Sequence, residues 1–161
     1  MTLRVETTPQ IPLNSTDIVF VLDTNVLSEL MRLDTERSAK VEQWLRLYPL
    51  GSLYTATPVV AEILLGLERM DEGRRKSGLT RAAEELMTKF AGRMLAFDMD
   101  AARTFAAIHN RRRSQGLATP AFDLQIAAIA RVAGMAVATR NVMDFRECGV
   151  EVVDPWTASS P

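Results

Sequence analysis

The chain has 161 residues, 47% of them hydrophobic and 24% charged, with a formal net charge of −1. That length fits one domain with a sizeable core, and the near-neutral balance excludes a global field drawing it to nucleic acid or membrane, so any such affinity must come from local patches. The single cysteine, Cys148, excludes an internal disulfide and fits a reducing compartment.

Residues 1–17 are polar and carry no signal-peptide-like apolar run; they are expected to form a flexible N-terminal extension ahead of a domain over residues 18–156 and a tail at 157–161. The run Ile18–Leu22 is apolar throughout, which predicts a strand buried on both faces, as in a parallel sheet. Helices follow over Asn25–Arg32 and Arg37–Leu47, the second with Val41, Trp44 and Leu45 on one face. Ser52–Ala56 predicts a second strand. Thr57-Pro58 then opens a helix, with Thr57 as N-cap and Pro58 at the first helical position, and Val59, Ile63, Leu67 and Met70 form its apolar stripe. Gly66 in that helix implies close helix packing. A further helix is predicted over Ser77–Phe90, a short strand over Met94–Phe97 and a long helix over Asp100–Gln115, ended by Gly116.

Thr119-Pro120 repeats the Thr-Pro opening for a helix that ends at Gly134. Met135–Ala138 predicts a strand, Asn141–Glu147 a brief helix and Val150–Val153 a last strand. IVFVL is too short to span a bilayer, and the longest mostly apolar stretch, LQIAAIARVAGMAVA, is interrupted by Arg131 and Gly134. Strands separated by helices imply an α/β fold with a parallel sheet, whose sites form outside the carboxyl ends of the strands.

Four acids fall where such a site would form. Asp23 ends the first strand. Glu62 lies just inside the helix after the second strand, Asp123 just inside the second Thr-Pro helix, and Asp144 in the short helix after the fourth strand. Each has a plain structural reading: Asp23 as an N-cap, Asp144 as the acid of a capping-box-like pair with Asn141, Glu62 and Asp123 as complements to a helix dipole. Together the four are embedded in apolar surroundings, VFVLDTN, PVVAEILLG, PAFDLQIAAIA and NVMDF. Buried carboxylates need partners, and converging ones repel unless a cation joins them. Hard oxygen donors of this kind suit Mg²⁺ or Mn²⁺.

VLDTNVLSE, ATPVVAEILLGLERM, FDLQIAAIA, ATRNVMDF and VVDPW resemble, in order, the motifs of PIN-domain ribonucleases, and specifically VapC-type toxins of type II toxin–antitoxin systems, in their FitB-like branch. The resemblance runs from about Ile18 to Trp156 and implies a PIN-like (Rossmann-like) three-layer sandwich with a central, mostly parallel sheet of about five strands. It implies a catalytic quartet of Asp23, Glu62, Asp123 and Asp144. Asp23 and Asp123 would be the main ligands of Mg²⁺ or Mn²⁺, Glu62 and Asp144 would ligate directly or through water, and Asn25 and Thr139 would give polar support. It further implies cleavage of single-stranded RNA, a small antitoxin partner, a homodimer, contact with DNA only through the antitoxin, no membrane, and a cytoplasmic setting in a bacterium or archaeon. The antitoxin would cover a groove near Leu30, Met31, Leu64 and Leu67. The N-terminal extension departs from the family, whose members begin almost at the first strand.

Arg113 and Arg140 are candidate RNA contacts. The triplet Arg111, Arg112 and Arg113 reads first as a solvated helix end, Arg74, Arg75 and Lys76 as a helix-connection surface, and His109 as a surface residue. Thr24 and Ser28 read as capping or helix-face groups, and Trp44 and Trp156 as core or interface aromatics. Two other functions fit less well. A haloacid-dehalogenase-like phosphohydrolase would use Asp23 as a nucleophile, but needs a second Asp where Asn25 stands and a catalytic lysine near the later acids. A non-catalytic PIN-fold binding module, or a component acting only within a DNA-binding complex, would have no use for all four acids.

Overall fold

The structure, a computed structural model, describes residues 18–158. The expectations for the N-terminal extension and for residues 159–161 lie outside the described residues. Strand β1 is Phe20–Leu22, followed by α1 (Thr24–Leu30), α2 (Ala39–Arg46), β2 (Leu53–Ala56), α3 (Thr57–Glu68), α4 (Arg74–Lys89), β3 (Met94–Leu95), α5 (Met99–Ser114), α6 (Ala121–Ala133), β4 (Ala136–Ala138) and β5 (Val152–Val153). The strands form one sheet in the order β3-β2-β1-β4-β5, and every pairing is parallel. The fold is therefore a PIN-like α/β sandwich with an all-parallel sheet. None of the described helices is long and apolar enough to cross a membrane.

The sheet centre explains the apolar run that begins the domain. Phe20, Val21 and Leu22 are all fully buried. Successive strand side chains point to opposite faces, so both faces of β1 are covered. On one of them the Phe20 ring meets Trp44 at 4.9 Å and Tyr48 at 4.8 Å, edge to face, and the two partners lie 5.0 Å apart. Such aromatic pairs add about 0.5–1.5 kcal/mol each beyond area burial. Trp44 is thus a core residue. α6 is buried almost all round, through Leu124, Ile126, Ala127, Ala128, Ile129 and Ala130, and packs against both α5 and α3. Gly134 ends it at φ 67°, a left-handed position that glycine adopts without steric cost.

The Thr-Pro openings differ from expectation. Ala56, not Thr57, is the N-cap of α3, and Pro120 is that of α6; neither cap uses a side chain. The hydroxyl of Thr57 instead accepts the Phe97 N–H at 3.2 Å, which joins the start of α3 to the segment that follows β3. The brief helix near residue 141 is a single 3-10 turn, Val142–Phe145, and Glu147 beyond it sits at φ 63°, outside any helix. Gly66 is not closely packed: a Cβ there would meet nothing within 4 Å. It faces an open groove shared with Met31, Leu67 and Phe122.

Arg112 also departs from expectation. It is 2% exposed on the inner face of α5. Its Nε donates to the Ala118 carbonyl at 2.8 Å, and its Nη1 donates to the Arg146 carbonyl. One buried guanidinium therefore ties the loop that leads into α6 to the turn that follows β4. Of its neighbours, Arg111 pairs with Glu147 at 2.8 Å, while Arg113 is exposed.

Candidate functional site

Parallel strands bring the carboxyl end of β1 beside the carboxyl end of β4, with Leu22 in register with Ala138. The next residue on each strand, Asp23 and Thr139, lies in the space beyond the sheet edge, and both are almost fully buried. The Thr139 hydroxyl donates to Asp23 Oδ2 at 2.6 Å. Asn25 Nδ2 donates to the same Oδ2 at 3.2 Å and to the Thr139 oxygen at 3.0 Å, while Asn25 Oδ1 accepts the Arg140 N–H at 3.1 Å. The Asn141 N–H completes the set by donating to Thr139 at 3.0 Å. Asn25 is thus an amide braced against a carboxylate rather than a second acid.

Asp23 is also the N-cap of α1, its Oδ1 accepting the Thr24 N–H at 2.7 Å. The capping reading and the clustered-acid reading hold for the same residue. Thr24 does more than follow the cap: its hydroxyl donates to Glu62 on α3, which fixes the second carboxylate relative to the first. Asp123 stands in the first turn of α6. Asp23, Glu62 and Asp123 line one open cavity of about 1000 Å³. Asp144, half-buried in the 3-10 turn after β4, does not line it, although its charge acts on both Asp23 and Asp123.

The electrostatics follow from this crowding. Burial pushes the Asp23 carboxyl up; the Thr139 hydroxyl and Thr24 amide pull it back, and the charges of Glu62 and Asp144 push it up again. Asp123 is pushed up to about 7, first by burial, then by the charges of Asp23, Asp144 and Glu62, with Arg112 alone opposing. A carboxyl displaced that far is a buried group that also feels like charges around it. The donors are all oxygen, and the chemistry fits a hard cation that keeps part of its water shell and needs only one or two carboxylates directly. As placed, no three His, Cys, Asp or Glu side chains among the described residues close on one point tightly enough to hold a metal ion unaided. The arrangement fits two direct ligands with water completing the shell, not a four-carboxylate cage.

The cavity also has cations. Arg140 lines it, as do Arg74 and Arg75 at the start of α4, where the sequence alone suggests only a connecting surface. Arg113 does not line it. Trp156 does, with the Arg140 guanidinium 4.9 Å from its ring centroid, so this tryptophan, which also packs against the hydrophobic core, is a wall of the cavity as well. His109 stands half-buried on α5 against Phe105, with 5.9 Å between ring centroids, and is not part of the cavity lining. The signal that could have found Trp156 was its place three residues after the last strand, next to β4 in a parallel sheet.

Comparison with known proteins agrees with this geometry. The PIN domain family model matches residues 20–149. The chain is 39% identical to the plasmid stability protein StbB of Pseudomonas syringae pv. tomato over 87% of its own length and 100% of that protein. It is 35% identical to the VapC ribonuclease Y4jK of Sinorhizobium fredii over 86% of its length and 98% of the relative. Among solved structures it is similar to a chain of FitAB bound to an IR36 DNA fragment, with a TM-score of 0.79 and 34% identity, covering 88% of this chain and 99% of that one.

Proposed function

The chain belongs to the PIN-domain family, and from that membership we propose that it is a metal-dependent endoribonuclease that cleaves single-stranded RNA as the toxin of a VapBC-type toxin–antitoxin pair. One observation carries the reading: carboxylates from the end of β1 and from α3 and α6 share one cavity at the sheet edge, where burial and then the neighbouring acids push Asp123 up to about 7. Relatives named as ribonuclease and toxin, over nearly the full chain, support the reaction class.

Asp23 and Asp123 would hold Mg²⁺ or Mn²⁺; of the two ways open to Glu62 and Asp144, directly or through water, the placement favours water. When bound, such an ion acidifies a water and neutralises charge on the phosphoryl group. The protein's own groups prepare the site. Thr139 and Asn25 donate to Asp23 Oδ2, which favours its ionised form and fixes its orientation. Thr24 orients Glu62 in the same way. Arg140 at the cavity wall meets backbone phosphate, a contact that positions the strand without reading its sequence; Arg113, exposed and outside the cavity, would reach only RNA that extends beyond it. The expected products carry 5′-phosphate and 3′-hydroxyl ends, and no histidine takes part.

The open groove beside Glu62, lined by Met31, Leu67, Met70 and Phe122, suits a small antitoxin; of the expected contacts, Met31 and Leu67 line it and Leu30 and Leu64 do not. The solved FitAB complex bound to a DNA fragment, 34% identical in the matched chain, supports a protein partner, through which we assign any contact with DNA. We further assign residues 18–156 to the PIN domain, a homodimer as the working state, and the bacterial or archaeal cytoplasm as its setting. The test is cleavage of an RNA pool with sequencing of the ends. Chelator should abolish cleavage, Mg²⁺ or Mn²⁺ should restore it, and Asp123→Asn should be inactive while folded. Full cleavage in chelator, or 2′,3′-cyclic phosphate ends, overturns the mechanism.

A further inference from the structure

The segment after β5 has no role in holding the carboxylates, yet it is built to one geometry. Asp154 accepts the Trp156 N–H on Oδ1 at 2.9 Å, and its carbonyl accepts the Thr157 and Ala158 N–H groups at 3.1 and 2.8 Å. Pro155 is buried in the same turn. The Thr139 N–H donates to the Val153 carbonyl at 2.9 Å, so this turn is held beside the residues that follow β4. The result places the indole of Trp156 4.9 Å below the Arg140 guanidinium.

Arg140 is therefore restrained at both ends, its main chain by Asn25 and its side chain by Trp156. It shares a cavity with Asp23, Glu62 and Asp123, and a free arginine would be drawn onto such carboxylates. It forms no ion pair among the described residues. An indole face satisfies a guanidinium plane while leaving its edge N–H donors free, because arginine stacks flat and is weakly hydrated. A cation so held is available to an incoming anion and does not fill the space where the acids act.

We propose that Trp156 is a positioning residue that holds Arg140 at the mouth of the acidic cavity as a phosphate-binding arm for the RNA strand. The proposal rests on the ribonuclease reading and adds a residue to it. Arg140 is the group that touches substrate; Trp156 acts through it. A flat aromatic of similar reach can take its place, whereas an aliphatic truncation cannot.

The test measures binding of a fluorescein-labelled pool of single-stranded RNA by anisotropy, on the cleavage-incapable Asp123→Asn protein in chelator, across a salt series. Arg140→Ala should weaken binding roughly tenfold or more, as expected for a charge-assisted hydrogen bond. It should also reduce the salt slope by about 0.7, one phosphate contact on a single strand. Trp156→Ala should give a smaller loss with the same reduction in slope, and Trp156→Phe should recover most of it. The double variant Arg140→Ala/Trp156→Ala should bind no worse than Arg140→Ala. Additive losses, or weaker binding by Trp156→Ala with the salt slope unchanged, overturn the proposal while leaving the ribonuclease reading intact. If the parent protein does not bind the pool and the wild type does not cleave it, the ribonuclease reading falls and the proposal with it.

Discussion

Replacing Asp123 by Asn should make the metal-free protein more stable, not less. The folded carboxyl is raised from 3.8 to about 7 by burial and by Asp23, Asp144 and Glu62, against the single opposing charge of Arg112. Below about pH 4 the side chain is protonated in both folded and unfolded chains and contributes nothing. As pH rises toward 7 the unfolded chain ionises first, so stability falls; above about 7 the penalty is constant. Taken at face value the displacement corresponds to about 4 kcal/mol, but the side chain is only half-buried and solvent screening reduces this to roughly 1–2 kcal/mol. Asp123 also lies in the first turn of α6, where a negative charge gains about 0.3–1 kcal/mol from the helix terminus. Burial and repulsion together outweigh the helix terminus by roughly 1 kcal/mol, and Asp123→Asn should melt about 2–4 °C higher than wild type at pH 8 in chelator. The gain should shrink toward pH 4. Saturating Mg²⁺, at a hundredfold excess over its dissociation constant, should add about 2.7 kcal/mol to the wild type and less to the variant, reversing their order. Melting curves at pH 4.5 and 8, with chelator and with metal, decide the matter. A variant that melts lower than wild type at pH 8 in chelator, or a difference independent of pH, refutes the reasoning.

Asp23→Ala should act in the opposite direction, losing the α1 cap and leaving Asn25 and Thr139 without their acceptor, for a cost of about 2–3 kcal/mol; a urea midpoint equal to that of wild type would contradict it. Thr139→Val keeps the shape but removes one acceptor of the Asn25 amide, the acceptor of the Asn141 N–H and a donor to Asp23. It should cost about 1–3 kcal/mol and weaken Mn²⁺ binding, read by calorimetry, about ten- to a hundredfold. Arg112→Met frees the carbonyls of Ala118 and Arg146 and should cost roughly 2–4 kcal/mol by urea denaturation. Lys at that position should not restore stability, because it lacks the guanidinium's divergent donors.

What was legible in the sequence was what local pattern encodes. The apolar run at Phe20–Leu22 announced a strand covered on both faces, and the alternation of strands and helices announced a parallel sheet whose carboxyl edge collects Asp23, Glu62 and Asp123. What was not legible depends on contacts between distant residues. Thr24 was read as a local cap because its acceptor, Glu62, lies 38 residues away. Arg112 looked like part of a solvated basic run because its partner carbonyl at Arg146 is 34 residues distant, and nothing in RRR shows which arginine turns inward. The Thr-Pro pairs match a capping signature, yet at Thr57 the hydroxyl serves the segment after a neighbouring strand instead. Gly66 inside a helix suggests close packing, whereas it leaves a groove open.

The hydrogen bond between Asp23 and Thr139 joins residues 116 positions apart, and β1 needs β4 at its side to form it. A ribosome delivers β1 among the first elements of this domain and β4 among the last. During most of its synthesis the chain therefore carries Asp23 and Glu62 without Asp123, without the hydroxyl that braces Asp23, and without Arg140. Such distant pairings form only after a large loop has closed. On the ribonuclease reading, a chain still being translated is harmless to the message that encodes it, because the cutting centre comes together only once the far end of the domain has emerged and folded back onto the beginning.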